Sequence, residues 1–365
     1  MPEKIRVGVV FGGRSAEHEV SLQSAKNVLE AMDKSKYEPV LIGIDREGHW
    51  HVNEQSTFLL NANNFKLTQL DKSQEEVALI PKGASHHLVA LSSNRDLGDI
   101  DVIFPVLHGP YGEDGSVQGL FKLANLPFVG AGILGSAVAM DKDVMKRLLR
   151  DSGIPIARFM ILNQKTVGNY RFEAVLEDLG LPVFVKPANL GSSVGVSKVH
   201  SAAEYFKAVE TAFEYDTKVL VEEYIAGREI ECSVLGNLEP IASLPGEVLS
   251  QHEFYSYEAK YIDENGAILE IPAKLGQDTV KRIQDISIRA FKTLCCEGMA
   301  RVDMFLKQNG HIILNEINTI PGFTRISMYP KLWEASGISY GELIDRLIQL
   351  AIERFKVEQE LKTSL

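Results

Sequence analysis

Charged, hydroxyl and glycine residues gather in five short stretches of this 365-residue chain, and each has a chemistry it could perform. The loop Gly191-Ser192-Ser193-Val194-Gly195 can turn freely pointing N–H groups onto phosphate oxygens. The same composition also makes an ordinary turn. Lys186 weighs on the choice, because it ends the apolar run Val183-Phe184-Val185. A buried lysine needs an anionic partner, and a triphosphate would serve. The second stretch pairs Arg301-Val302-Asp303 with Asn315-Glu316-Ile317-Asn318. Alternate strand residues share a face, so Arg301 lines up with Asp303, and Glu316 with Asn318. Asp303, Glu316 and Asn318 would then be hard oxygen donors with only two carboxylates, a set that suits Mg²⁺ or Mn²⁺ bridged to phosphates. A solvated face of an antiparallel pair is the alternative, although the strictly apolar neighbours favour a cleft.

The other three stretches follow strand ends or join sheets. Gly12-Gly13-Arg14-Ser15-Ala16-Glu17-His18-Glu19 comes where an open sheet binds ligands. It lacks G-x-G-x-x-G spacing, and Glu17 would repel a pyrophosphate, so an ammonium group fits better. Ser15 or Ser21 could be only a helix cap, and Glu19 could face solvent. His108-Gly109-Pro110-Tyr111-Gly112-Glu113-Asp114-Gly115 again follows a strand, and His108 is either a ligand contact or a structural histidine. Tyr255 to Tyr261 is polar and aromatic, as a lid would be, with Lys260 able to reach a phosphate and Tyr261 a serine.

The elements that must position these residues alternate strands and helices. Lys4–Val10, Glu19–Met32 and Tyr37–Ile44 predict a β-α-β unit. Residues 51 to 97 are weakly patterned and predict a peripheral excursion. Asp101–Leu107 predicts another buried strand, followed by a helix over Asp114–Ala124. Helices are expected at Asp141–Asp151, Phe172–Leu179, Ala202–Tyr215, Gln277–Cys295 and Tyr340–Phe355. Strands are expected at Arg158–Leu162, Pro182–Lys186, Val196–Val199, Val219–Glu223, Glu229–Leu235, Met299–Leu306 and Ile312–Glu316. The pattern is α/β, then α+β, with short linkers. It divides into an N-terminal α/β domain with an open parallel sheet (1–140), a small central domain (141–228) and a C-terminal domain (229–365).

Composition removes several classes of function. A formal net charge of -11 argues against nucleic acid as the main partner. No apolar run approaches the roughly 20 residues of a membrane span, and the first ten residues read as a strand without a signal-peptide cleavage region. Cys232, Cys295 and Cys296 form neither a disulfide framework nor a zinc spacing. A reduced, cytoplasmic protein is the expectation.

Taken together, GGRSAEHEVSL, HGPYGEDG, MDKDVMKRLL, VKPANLGSSVGVSKV, YEAKY, ARVD and NEINTIPGFT resemble the ATP-grasp superfamily and, within it, the D-alanine–D-alanine ligase family. The likeness runs from Lys4 to the end of the chain. It implies a three-domain ATP-grasp fold with ATP between the central and C-terminal domains, and ligation of two D-alanines through an acyl phosphate for peptidoglycan precursors. It implies nucleotide contacts at Lys142, Lys186, Ser193, Glu222, Glu223, Tyr224, Glu229, Lys260, Asn315 and Glu316. Two Mg²⁺ or Mn²⁺ ions would sit on Asp303, Glu316 and Asn318. Arg301 and the Gly322 N–H would stabilise an oxyanion. Glu17 and His108 would meet the first D-alanine; Ser327 and Met328 would hold the second one's carboxylate. Tyr261, Ser192 and Glu17 would tie a loop across the closed site. Tyr261 favours an amine as second nucleophile, since D-lactate-using relatives often depart from it. Pro110-Tyr111 is less typical of the family. A homodimer is the family's expectation. The other readings are a different dipeptide or depsipeptide ligase, an ATP-binding module without turnover, and a nicotinamide oxidoreductase, against which the glycine spacing counts.

Overall fold

The computed structural model describes residues 3–53, 75–82, 85–93, 95–165, 171–250 and 267–362. β1 (Ile5–Gly12) buries Val7, Val9, Val10 and Phe11, as a strand covered on both faces must. After α1 (His18–Ala31), β2 (Tyr37–Ile44) lies parallel to β1, from Ile5 opposite Tyr37 to Gly12 opposite Ile44. β3 (Trp50–Asn53) folds back antiparallel onto β2. β4 (Val77–Lys82), β5 (Ser85–Ala90) and β6 (Asp96–Asp99) form a separate antiparallel sheet. Among its described residues, the weakly patterned stretch from 51 to 97 contributes to four short strands, too brief and too polar to give an apolar run. β7 (Val102–Val106) pairs parallel with β1, giving the order β3-β2-β1-β7. The sheet expected to be parallel therefore carries one antiparallel edge.

Next come α2 (Ser116–Leu123), α3 (Ile133–Met140) and α4 (Lys142–Asp151). The sequence reading omits α3, because Ile-Leu-Gly-Ser-Ala-Val-Ala-Met has no polar stripe to reveal a helical period. α4 starts where Asp141 accepts from the Asp143 and Val144 N–H groups, both at 3.1 Å.

The central unit contains β8 (Phe159–Asn163), α5 (Phe172–Leu179), β9 (Val183–Pro187), β10 (Ser197–Val199), α6 (Ala202–Phe213) and β11 (Lys218–Glu223). Its antiparallel sheet, β10-β9-β11-β8, packs Leu162, Val185 and Val221 against Val175 of α5 and Tyr205 of α6.

The last unit is built from β12 (Arg228–Gly236), β13 (Ile241–Ala242), β14 (Gly246–Ser250), β15 (Ala267–Glu270) and α7 (Gln277–Thr293). β16 (Gly298–Leu306), β17 (Ile312–Asn318), α8 (Met328–Ala335) and α9 (Tyr340–Gln359) complete it. The strand order is β15-β14-β12-β16-β17, with β13 on β12. Ile230, Cys232, Val302 and Met304 meet Ile283 and Phe291 of α7 on one face. Alternation leaves Glu229, Glu231, Arg301 and Asp303 on the other. α9 packs on its own sheet, against Leu235 and Met299, and also reaches beyond it. Its Leu343, Ile344, Leu347 and Ile348 share one core with Val9 and Phe104 of the first sheet. The N- and C-terminal thirds are therefore fastened by a common core.

The β2–β3 hairpin turns on Asp45. Its Oδ1 accepts from the N–H groups of Glu47, Gly48 and His49 at 2.9, 2.8 and 2.9 Å. Its Oδ2 lies 3.3 Å from His49 Nδ1 and 3.4 Å from His51 Nε2. Burial opposes ionisation, but the His49 and Gly48 N–H groups and the two imidazoles outweigh it and lower the pKa to about 2. Asp45→Ala is expected to cost about 2 kcal/mol in urea unfolding at pH 7, the worth of hydrogen bonds to a charged group. The folded pKa is below the unfolded one, so this contribution is complete above about pH 4 and fades as pH falls towards 2. An Asp45→Ala protein as stable as wild type at pH 7 would remove the role.

Candidate active site

Three lysines and two carboxylates gather where α4, β9, β11 and β17 meet. Lys142 and Lys146, four residues apart, share one face of α4. Lys186 comes from β9 and Glu222 from β11, which are antiparallel neighbours. Glu222 takes Lys186 Nζ at 2.5 Å on one oxygen and Lys146 on the other. Lys142 Nζ donates to Leu190 O at 2.7 Å and lies 3.4 Å from Glu316. Burial draws Lys146 towards its neutral form. Burial also works against the Glu222 carboxylate, but the two lysines outweigh it and lower its pKa. Lys146 and Lys186 thus depend on a single carboxylate, and a further anion could share them.

Across the cleft, Arg301 donates to both oxygens of Asp303 at 2.7 Å and lies 2.8 Å from Glu231. Arg301 pairs across the strands with Asn318, and Asp303 with Glu316. Asn315 is the extra residue where the register shifts between Asp303 and Met304, since Met304 pairs with Leu314. This bulge re-aims the strand end that carries Glu316 and Asn318. Asn318 Oδ1 is buried and accepts no hydrogen bond. An orphaned carbonyl oxygen beside two carboxylates is a donor set that fits a hard divalent cation.

The far end of the cleft is shaped by two glycines. Gly12 has φ +90, and a Cβ on it would sit 2.2 Å from Ile44 O. Only glycine allows the turn from β1 into α1 there. Gly12 N donates to the buried Ser21 hydroxyl at 2.7 Å, and that hydroxyl donates to Val106 O. Ser21 thus binds β1, α1 and β7 together instead of capping the helix. Glu17, the buried N-cap of α1, accepts from Ser192 of the glycine-serine loop. At Gly109, with φ +75, a Cβ would strike Glu17 Oε2 and Ser15 Oγ, each at 2.8 Å. His108 is buried; its Nδ1 donates to Ile320 O at 3.0 Å and its Nε2 is 3.4 Å from Ser24 Oγ. Burial lowers its pKa and keeps it neutral. Gly322 lies beside Ser327, whose Oγ accepts from Thr324 N at 3.0 Å, just ahead of α8. A cavity of about 400 Å³ runs between these groups. Glu17, His108, Lys142, Ser192, Arg301, Glu316, Asn318, Gly322, Ser327 and Met328 line it, whereas Lys186, Glu222 and Asp303 do not.

Residues 6–131 match the family described as D-ala D-ala ligase N-terminus, and residues 148–349 match D-ala D-ala ligase C-terminus. A D-alanine–D-alanine ligase of Oceanobacillus iheyensis is 56% identical over 361 residues, 99% of each chain. D-alanine–D-alanine ligase A of Escherichia coli K12 is 54% identical over 100% of both. The chain belongs to the D-alanine–D-alanine ligase family. The solved ligase of Coxiella burnetii superimposes with a TM-score of 0.87 at 41% identity, covering 98% of this chain and 97% of its own. The VanG D-Ala:D-Ser ligase of Enterococcus faecalis gives 0.85 at 37%, covering 96% and 100%. The fold is the ATP-grasp fold of these ligases.

Against that family background, the residues singled out in the sequence divide by what holds them. Glu223 faces away from Glu222 and its lysines: it accepts from Arg158 N and Nε, both at 2.8 Å. Tyr224 is half-exposed beside Phe184, with Lys198 Nζ 4.6 Å above its ring. Ser192 and Ser193 have φ of 50 and 61, a left-handed bend that L residues rarely adopt and that functional loops often contain. Glu229 lies on the polar face of β12, opposite Phe305. Glu19 does not face solvent alone but pairs with Arg46. Lys260 and Tyr261 lie outside the described residues, as does the Tyr261 corner of the expected triad. Sequence reasoning passed over Lys146, Glu231, Glu113 and Ser24. The first two were signalled: Lys146 by its four-residue step from Lys142, Glu231 by its two-residue step from Glu229. Glu222→Ala would leave Lys146 buried without a counter-charge, and unfolding free energy should fall by roughly 3–5 kcal/mol. Urea titration of the two proteins checks this; equal midpoints would show that Glu222 does not hold the lysines.

Proposed function

We propose that the protein ligates two D-alanines to D-alanyl-D-alanine with ATP, giving ADP and phosphate, in the cytoplasm and for peptidoglycan precursors. The observation that supports this best is one cavity lined by Glu17, Lys142, Arg301, Glu316 and Asn318 together. A carboxylate is a poor acyl donor, so activation must come first. The first D-alanine would enter with its ammonium at Glu17 and its carboxylate towards Arg301 and Gly322. A carboxylate oxygen attacks the γ-phosphorus, the bond to ADP breaks, and an acyl phosphate remains. Lys142 and Lys186 would contact the nucleotide phosphates. Glu222 would accept the adenine amino group as a third donor beside its lysines, the backbone near Glu223 and Tyr224 would read the adenine edge, and Glu229 would hold the ribose. Ser192 and Ser193 would close their loop over the phosphates.

The second D-alanine's carboxylate would lie at Ser327 and the N-terminal turn of α8, whose free N–H groups favour an anion. Its amine attacks the acyl carbon, loses a proton, and phosphate leaves. Arg301 and the Gly322 N–H would stabilise the oxyanion between these events. Asp303, Glu316 and Asn318 would hold Mg²⁺ or Mn²⁺, two ions in all, whose chemistry is to offset phosphate charge. In that state Arg301 would relinquish Asp303 and turn to the substrate. Excluding water protects the acyl phosphate, which is the reason for a loop latch between Ser192 and Glu17. We also propose a homodimer, which would cover the exposed Leu120 and Leu123 of α2 and Ile133 and Leu134 of α3.

The test is phosphate release from ATP and Mg²⁺ with D-alanine, L-alanine, or D-alanine plus D-lactate or D-serine. Turnover with D-alanine alone, with the dipeptide as product, is the expected result. Turnover only with D-lactate or D-serine would assign another second substrate, and silence with all of them would overturn the reading. Arg301→Ala should lower kcat by about 100-fold or more; an unchanged kcat would take the oxyanion role from Arg301.

A further inference from the structure

His108 and Glu113, five residues apart, are both buried in the loop after β7. Both residues are tied to the backbone of Ile320, His108 through its C=O and Glu113 through the influence of its N–H. His108 Nδ1 donates to Ile320 O at 3.0 Å, and the Ile320 N–H favours the charged form of Glu113. Glu113 also accepts from Gly109 N at 2.6 Å. It is buried, yet it lines the same cavity as Glu17 and Ser192. Gly109 is the spacer between the two acids: its N–H points at Glu113, and its missing Cβ makes room for Glu17 Oε2. Two carboxylates thus flank one glycine at the end of the cleft where an ammonium group is expected.

Two negative charges so close, in so little water, repel each other. We propose that Glu113 and Glu17 together form the receptor for the first substrate's ammonium group, and that Glu113 holds a proton while the receptor is empty and releases it when the ammonium group enters. The proposal rests on the ligase reading above and assigns Glu113 a part in it. The balance is simple: Glu113 carboxylic acid plus substrate ammonium gives Glu113 carboxylate, bound ammonium and one proton to solvent. Burial, then the charge of Glu17, push the Glu113 carboxyl up to about 8, against the Gly109 and Ile320 N–H groups and Lys142. The other titratable neighbour, His108, is kept neutral by burial. A raised carboxyl is protonated below that value, so the empty receptor carries its proton at neutral pH and ammonium must displace it. Above about pH 8 fewer than half of the receptors hold a proton to be displaced, and at pH 9 few do.

Calorimetric binding of D-alanine to the full chain with ADP and Mg²⁺, at pH 7 in phosphate and in Tris, reads this directly. The enthalpy difference between the buffers gives the protons released. A release approaching one proton is expected, falling towards zero at pH 9. The KM for the first D-alanine should fall as pH rises from 6 to 8, by up to tenfold per unit. In Glu113→Gln both the proton release and this slope should vanish. A residue that merely clamps Ile320 would raise KM equally at every pH in that variant and leave the slope intact, which would overturn the proposal. Binding of D-alanine by wild type without proton release would overturn it too, and needs no variant to fold. No binding of D-alanine at all would instead count against the ligase reading.

Discussion

Charge that has left water must be matched, and the cleft is organised around that requirement. An ion in a low-dielectric interior loses several kcal/mol of hydration. Every buried lysine or arginine described along the cleft therefore has a carboxylate: Lys146 and Lys186 share Glu222, Lys142 has Glu316, and Arg301 has Asp303 and Glu231. The matches are deliberately incomplete for chemistry. Two lysines share the single Glu222 carboxylate, and the Asn318 carbonyl oxygen has no donor. A nucleotide phosphate and a divalent cation would each correct one imbalance. The same groups that keep the empty site soluble in its own fold are those that a substrate complex would re-pair.

Such exchange needs a rigid frame, and the frame comes from burying apolar faces behind each charged one. β16 shows the division within one strand. Val302, Met304 and Leu306 pack into the core with α7, while Arg301 and Asp303 face the cleft. Because the strand period is two, a one-residue slip would exchange the two sets, so the core fixes the register of the chemistry. The shared core of α9 and the first sheet extends this argument to the whole molecule. It fixes the distance between Glu17 and Arg301, which line the same cavity.

How far the sequence disclosed this follows from the range of the interactions. Strands and helices with apolar runs or stripes were legible to within a few residues, including α5 and the ends of β9 and β11. Alternation put Arg301 with Asp303 and Glu316 with Asn318, whereas the pairing of Asp303 with Glu316 depends on a register, with a bulge at Asn315, that no local pattern encodes. α3 was not legible because a helix apolar on all sides has no period. α8 was not, because Pro330 falls inside it. β13 to β15 are short, and β4 to β6 mix polar and apolar residues. Glu222 was read as a nucleotide contact, whereas its engagement with two lysines depends on α4 reaching β11, which no local pattern encodes.

The histidine motif shows the same boundary more sharply. From sequence, His108 is a lone histidine after a strand, either a ligand or a structural group. In three dimensions it is chiefly a clasp, with Ile320 O and Ser24 Oγ on its two nitrogens. Ser24 is itself bound to the Phe323 N–H at 3.1 Å, so α1, the His108 loop and the loop after β17 are tied at one point. That loop carries Gly322 and leads to Ser327, where the second substrate is proposed to lie. The loop holding the first substrate's end and the loop holding the second's are therefore one hydrogen-bonded unit. A shift of either would move both reacting partners together, which preserves their mutual orientation, the quantity on which the rate of joining them depends most.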